Sequence, residues 1–197
     1  MTIHRATPRI AAIMLAAGES RRMGTNKLLL PVGGEPLVRR ACRTALAAQL
    51  YPLVVVLGHE SERVRAALAG LDCHFAVNAA SGEPMSSSLH SGLEGLPSDA
   101  EAVVVMLADM INVTEHMLRA LVRAAHSGTA PLVSSRYAQT LAPPVLFRRA
   151  LFGELLATTG EGCGKAVVER HREQARYIDW PLAALMDVDT PGDLAKL

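Results

Sequence analysis

Two glycines, two arginines and a lysine follow directly on an apolar run in residues 14–30, MLAAGESRRMGTNKLLL. Glycine lets a backbone come close to a ligand, and the N–H groups of such a loop can hold phosphate oxygens. Arg21, Arg22 and Lys27 would supply matching positive charge. A tight turn with solvated cations is the other reading, and the residues alone leave both open. The loop is neither of the two common nucleotide motifs. Gly18 and Gly24 are one residue too far apart for G-x-x-x-x-G-K-[ST], Lys27 does not follow Gly24 directly, and G-x-G-x-x-G is absent. Asp109 is the second informative residue, because it leaves the apolar run VVVMLA. A hard divalent cation takes oxygen ligands, and a carboxylate there could supply one. Asp also caps helices, but Thr114 is better placed to cap the helix that follows.

Other polar groups stand just past apolar runs: His59 and Glu60, Asn78 followed by Ser86, Ser87 and Ser88, and Asp187 and Asp189. They can meet only if the runs are strands of one sheet ending on the same edge. The pattern supports this. IAAIMLA at 10–16, LVVVL at 53–57 and AVVVML at 102–107 are continuous apolar runs, the mark of parallel strands covered on both faces. Strands are also expected at 73–77, at APLVSSRY and at ARYIDWP, with PPVLF as a short extended piece. Helices are expected at about 37–50, over SERVRAALAG with Ser61 at or near its cap, at 85–96, from Thr114 to a stop at Gly128, over RRALFGELLATTG and EGCGKAVVERHREQ, and from PGDLAKL onward. This alternation predicts a three-layer α/β sandwich in one domain, with ligands beyond the carboxyl ends of the strands.

Composition narrows the class. The 197 residues are 50% apolar and carry a net charge of +1, so no basic excess points to nucleic acid. No stretch approaches the roughly 20 apolar residues of a membrane span. Cys42, Cys73 and Cys163 make no zinc spacing and no disulfide framework, which suits a reducing, cytoplasmic setting. Ser86–Ser88 lack the G-x-S-x-G elbow of serine hydrolases. His74, His90, His116, His126 and His171 are scattered without metal-ligand spacing.

Longer segments resemble a known family. LAAGESRRMGTNKLLLPVGGEPLVRR is similar to the signature loop of the MobA-like nucleotidyltransferases, nearest their molybdenum cofactor cytidylyltransferase branch. NAASGEPMSSSLHSGL, VVVMLADM, PPVLF, TTGEGCGKAVVE and MDVDTPGDL follow in the family's order, so the resemblance spans about residues 10–197. It implies a Rossmann-like, mainly parallel sheet of the nucleotide-diphospho-sugar transferase type, with 1–197 as a single NTP transferase domain. It implies a magnesium-dependent enzyme that moves CMP from CTP to the terminal phosphate of a molybdopterin-type cofactor, releasing pyrophosphate. Another NTP, another phosphorylated acceptor such as a sugar 1-phosphate, or a non-catalytic maturation factor are its alternatives. An apo molybdenum hydroxylase is a further implied partner. By the same resemblance Leu15, Ala16, Ala17, Gly18, Ser20, Arg22, Gly24, Lys27, Asn78, Ser86, Ser87 and Ser88 bind the nucleotide. Lys27, Arg22 and Asp109 are the implied catalytic groups, and Asp109 with Asp187 the metal ligands. The chain departs from the family pattern at Pro84, where a glycine is usual, at Met110, where a glutamine is usual, and at Pro143, where a histidine is usual. The first departure is expected to reshape the nucleotide pocket, and the other two to alter acceptor recognition. Ala17, where GTP-using relatives have glycine, leans toward CTP.

Overall fold

The computed structural model describes residues 9–20, 23–79, 84–162 and 164–187. Arg21, Arg22, Cys163, Asp189 and the helix expected from PGDLAKL lie outside the described residues. Strands β1 (Ile10–Ala16), β4 (Leu53–Leu57), β5 (His74–Val77) and β6 (Ala102–Leu107) run parallel, and β7 (Leu132–Tyr137), β8 (Thr140–Arg148) and β9 (Arg176–Trp180) complete the sheet. Its order is β5-β4-β1-β6-β8-β7-β9. Only β8 is reversed, pairing antiparallel with both β6 and β7, while β9 is again parallel to β7. The architecture is therefore the Rossmann-like sandwich expected for an NTP transferase, with one reversed strand.

The continuous apolar runs have a simple cause. Along β1, Ile10, Ala12, Met14 and Ala16 face one core and Ala11, Ile13 and Leu15 face another. The first core is closed by α1 (Leu37–Ala47), α2 (Ser61–Ala67) and α4 (Glu115–His126); the second by α3 (Met85–Glu94), α5 (Phe152–Leu156) and α6 (Lys165–Arg170). A strand covered on both faces has no polar side to alternate with. The expected Thr114 cap is present, its Oγ1 accepting from Met117 N at 3.3 Å. Ser61 is the first residue of α2 rather than its cap, which falls on Glu60 in the left-handed region.

Three expectations are corrected. PPVLF belongs to a nine-residue strand, β8, which turns back from β7 through Ala138 at φ +55°. The helices expected after it are shorter, a single 3-10 turn and α5 for the first and α6 for the second. A small hairpin, β2 (Pro31–Val32) with β3 (Glu35–Pro36), was not expected at all. Cys42 is buried in the first core and Cys73 packs against it; burial pushes both thiols up, so both act as packing groups. Among the described residues no helix is long and apolar enough to cross a membrane.

Candidate active site

The chain runs outward from β1 to β4 and β5, then returns to place β6 on the other side of β1. That reversal is the switch point at which open α/β sheets bind ligands. The loop after β1 and the turn after β6 flank it. They are tied at their roots, where Ala108 N donates to Leu15 O at 3.1 Å.

In the loop after β1, Ser20 adopts φ +53°, a conformation uncommon for a residue with a side chain. Its Oγ accepts from Lys27 N at 3.1 Å, and its carbonyl accepts from Met23 N at 2.8 Å. Asn26 is buried and caps the one-turn 3-10 helix over 27–29, its side chain accepting from Leu28 N. Together these bonds fix the backbone at Lys27. Its ammonium donates to Asp109 Oδ2 at 2.5 Å, and the two side chains are only 14% and 18% exposed. So the two residues singled out for chemistry in the sequence, 82 positions apart, meet across the switch point.

Asp187 is brought to the same region by a separate route. Met110 and Asp187 form an isolated antiparallel bridge, so the backbone of Asp187 stands next to the turn that carries Asp109. Asn112 secures the approach, its Nδ2 donating to Ala183 O at 2.9 Å. Among the described residues no three His, Cys, Asp or Glu side chains converge on one point. Two carboxylates on one rim nevertheless fit magnesium, which keeps waters and substrate phosphates in its shell rather than demanding an all-protein cage.

A third group sits at the end of β5. Asn78 is buried, and its Nδ2 donates to Ser87 Oγ at 2.8 Å and Ser88 Oγ at 3.0 Å. These bonds join the strand end to the first turn of α3. Ser86 N donates to Gly160 O, and Met85 N to the Glu161 carboxylate. Glu161 was absent from the expected site, because nothing in its sequence neighbourhood predicts a bond across 76 residues.

The rim is further shaped by the loop after β4. Gly58 lies so close to the first loop that a Cβ there would stand 2.6 Å from Ala17 O, which also accepts from His59 N. Between the two loops lies an open concavity of about 400 Å³, bordered by Ser20, Thr25, Asn26, His59 and Glu60. Arg63 donates to Glu60 and holds its carboxyl below the usual range.

Other expected residues occupy plainer positions. The side chains of Leu15, Ala16 and Ala17 are buried, so any contact they make with a nucleotide is through backbone. Arg22 lies outside the described residues. Pro84 caps α3 at φ −51°, where its missing N–H is not needed by the helix, and its carbonyl accepts from Ser87 N. Met110 is 4% exposed and packs into the first core. Pro143 is the fourth residue of β8, and its carbonyl accepts from Tyr137 Oη at 2.9 Å.

The comparisons agree with this fold. The chain is 28% identical to Rv0371c from Mycobacterium tuberculosis H37Rv, with a TM-score of 0.86 over 96% of this chain and 97% of that one. The same protein in complex with manganese gives a TM-score of 0.79. A homolog of Rv0371c from Mycobacterium sp. strain JC1 is 32% identical, with a TM-score of 0.81 over 95% of this chain and 94% of that chain. Among curated proteins, the bifunctional protein GlmU of Kineococcus radiotolerans is 42% identical over 109 residues, which are 54% of this chain and 22% of GlmU. The matched segment thus spans about a quarter of the length of such curated relatives. The model of the MobA-like NTP transferase domain matches residues 12–175, and the chain belongs to that family.

Proposed function

We propose that this protein is a nucleotidyltransferase that joins the nucleotidyl group of an NTP to a phosphorylated acceptor. The observation that carries the reading is the meeting of Lys27 and Asp109 at 2.5 Å across the switch point of the sheet. In the proposed step a terminal phosphate oxygen of the acceptor attacks the α-phosphorus, the bond from that phosphorus to the β-phosphate oxygen breaks, and pyrophosphate leaves. The nucleophile is already an anion, so no general base is needed. Lys27, with Arg22 from the same loop, stabilises negative charge growing on the phosphate oxygens. The loop from Gly18 to Gly24 binds phosphates through backbone N–H groups, and Asn78 with Ser86–Ser88 approaches the base, the ribose or the acceptor. Asp109 and Asp187 would hold magnesium; when bound, it neutralises charge on the phosphates and orients the leaving group. That the similar protein Rv0371c forms a complex with manganese supports a role for a divalent ion.

The finer reading takes CTP as donor and a molybdopterin-type cofactor as acceptor, with an apo molybdenum hydroxylase as recipient in the cytoplasm and 1–197 acting as one domain. It rests on the resemblance of LAAGESRRMG, NAASGEPMSSSLHSG and MDVDTPGDL to the cytidylyltransferase branch and on Ala17. Other acceptors, such as sugar 1-phosphates, fall within the same chemistry. Purified protein incubated with magnesium, each NTP in turn and a panel of phosphorylated acceptors, followed by mass detection, tests both levels. A cytosine dinucleotide of the cofactor establishes the finer reading. A product with another acceptor retains only the transferase. Tight nucleotide binding with no product favours a non-catalytic maturation factor.

A further inference from the structure

We infer that Lys27 is the resident counter-ion of Asp109 and keeps a divalent metal off that carboxylate until a triphosphate has drawn the ammonium away. The inference rests on the transferase reading and adds an order of assembly to it. Its basis is the position of the ammonium: Nζ stands 2.5 Å from Asp109 Oδ2, with both side chains mostly buried. A metal bound to that carboxylate would sit within a few ångströms of a second positive charge. At such range, away from bulk water, like charges repel by several kcal/mol or more. Displacing Lys27 would also break a charge-assisted bond to Asp109 in a largely buried setting, which is itself unfavourable. The chain around Lys27 gives the ammonium little freedom to retreat. Its backbone N–H is bonded to Ser20 Oγ, and the preceding Asn26 is buried and committed to capping Leu28.

A triphosphate resolves the conflict. Its oxygens are strong acceptors for an ammonium and sit on the same rim, so Lys27 can exchange a carboxylate partner for a phosphate one. Asp109 is then released to share the metal with those phosphates. Metal and nucleotide therefore bind with positive coupling, and linkage makes the coupling reciprocal. Lys27 does two things in sequence: it excludes the ion from the empty site, then joins the nucleotide.

The test uses the full chain and manganese as probe, with free Mn²⁺ read by electron paramagnetic resonance. Wild type without nucleotide is expected to bind Mn²⁺ weakly, and the non-transferable α,β-methylene analogue of CTP is expected to tighten binding by about 10- to 100-fold. Lys27→Met, which keeps length and removes charge, is expected to bind Mn²⁺ without nucleotide about tenfold tighter than wild type. Adding Asp109→Asn in that background is expected to erase the gain. Lys27→Gln provides a second neutral variant, and thermal melts report whether each is folded. Equal nucleotide-free affinity in wild type and the folded neutral variants overturns the inference, as does a gain that survives Asp109→Asn. Failure of wild type to bind the analogue counts against the transferase reading instead, and the metal-only comparison still decides the present one.

Discussion

Lys27 and Asp109 form an ion pair that is mostly shielded from water yet lies at a ligand-binding edge. A rim lysine would be indifferent to folding, as its place in a polar loop suggests; this one is not. Lys27→Ala leaves a carboxylate with one fewer partner in a partly buried setting, so unfolding should become easier by about 1–3 kcal/mol. The same change should lower kcat/KM by about 10²–10³-fold, the scale expected when a preorganised charge is removed from a transition state. Asp109→Asn keeps the volume and can still accept from the ammonium, so its thermal melt should shift less than that of Lys27→Ala while transfer is lost. Paired melts and steady-state assays check both variants; full activity in either would remove that residue from the chemistry. Both residues were legible in the sequence, Asp109 as a charge directly after a long apolar run and Lys27 as a cation in the glycine-bearing loop that follows another. Asn26, Ser20 and Glu161 were less so. Their roles as cap, acceptor and long-range partner depend on backbone bonds that residue types alone do not announce.

Strand ends carry the site, and the elements behind them decide how exactly they are held. Helix α3 bears Ser86–Ser88 and packs on β1 and β4 through Gly92, where a Cβ would lie 2.6 Å from Ile13 Cγ2 and 3.0 Å from Val56 Cγ2. Gly92→Ala must therefore lift the helix or shift two fully buried branched side chains. Overpacking of this kind costs about 1–3 kcal/mol, although alanine is the better helix former. Denaturant unfolding should show that loss, and the nucleotide KM should rise because the serines move away from Asn78. An unchanged midpoint would mean that α3 has slack the packing does not suggest. Elements of this kind were readable where one signal dominates: doubly buried strands by their apolar runs, and α4 by Thr114 and its periodicity. β8 was not. Prolines at 143 and 144 argue against a sheet interior because they cannot donate to a ladder. The strand accommodates them in its middle, in the register irregularity against β7 and beyond the Val105–Val145 pair where its register with β6 begins. The β2–β3 hairpin escaped notice because two-residue strands are too short to show any period.

Across the molecule, the charged groups lie apart from a core that, among the described residues, holds Tyr137 as its titratable side chain of consequence beyond the thiols. Tyr137 is fully buried at the end of β7, and its hydroxyl donates to Pro143 O. Burial, with a smaller contribution from the nearby Asp187 charge, pushes its pKa up to about 12 from the ordinary 10. An acid whose folded value is raised stabilises the fold fully below its unfolded pKa, and that stability is lost as pH rises through the folded value. Unfolding free energy should thus fall between about pH 10 and pH 12, and Tyr137→Phe should flatten the fall at the cost of one hydrogen bond, about 1 kcal/mol at neutral pH. Denaturant titrations across that window test it; an equal decline in the variant would assign the alkaline loss to other groups. The sheet order explains why the site is where it is. Seven strands place the ends of β1, β4, β5 and β6 on one edge, and Met110 pairs Asp187 to it from the far end of the chain. The most direct test of the central claim follows the phosphorus atoms. The protein is incubated with magnesium, phosphorylated acceptors and each NTP labelled separately at the α- and γ-phosphates, and the products are separated by mass. The account predicts the α-label in the acceptor product and the γ-label in pyrophosphate, with both signals lost in Asp109→Asn. Transfer of the γ-label to the acceptor, or release of inorganic phosphate in place of pyrophosphate, would contradict it.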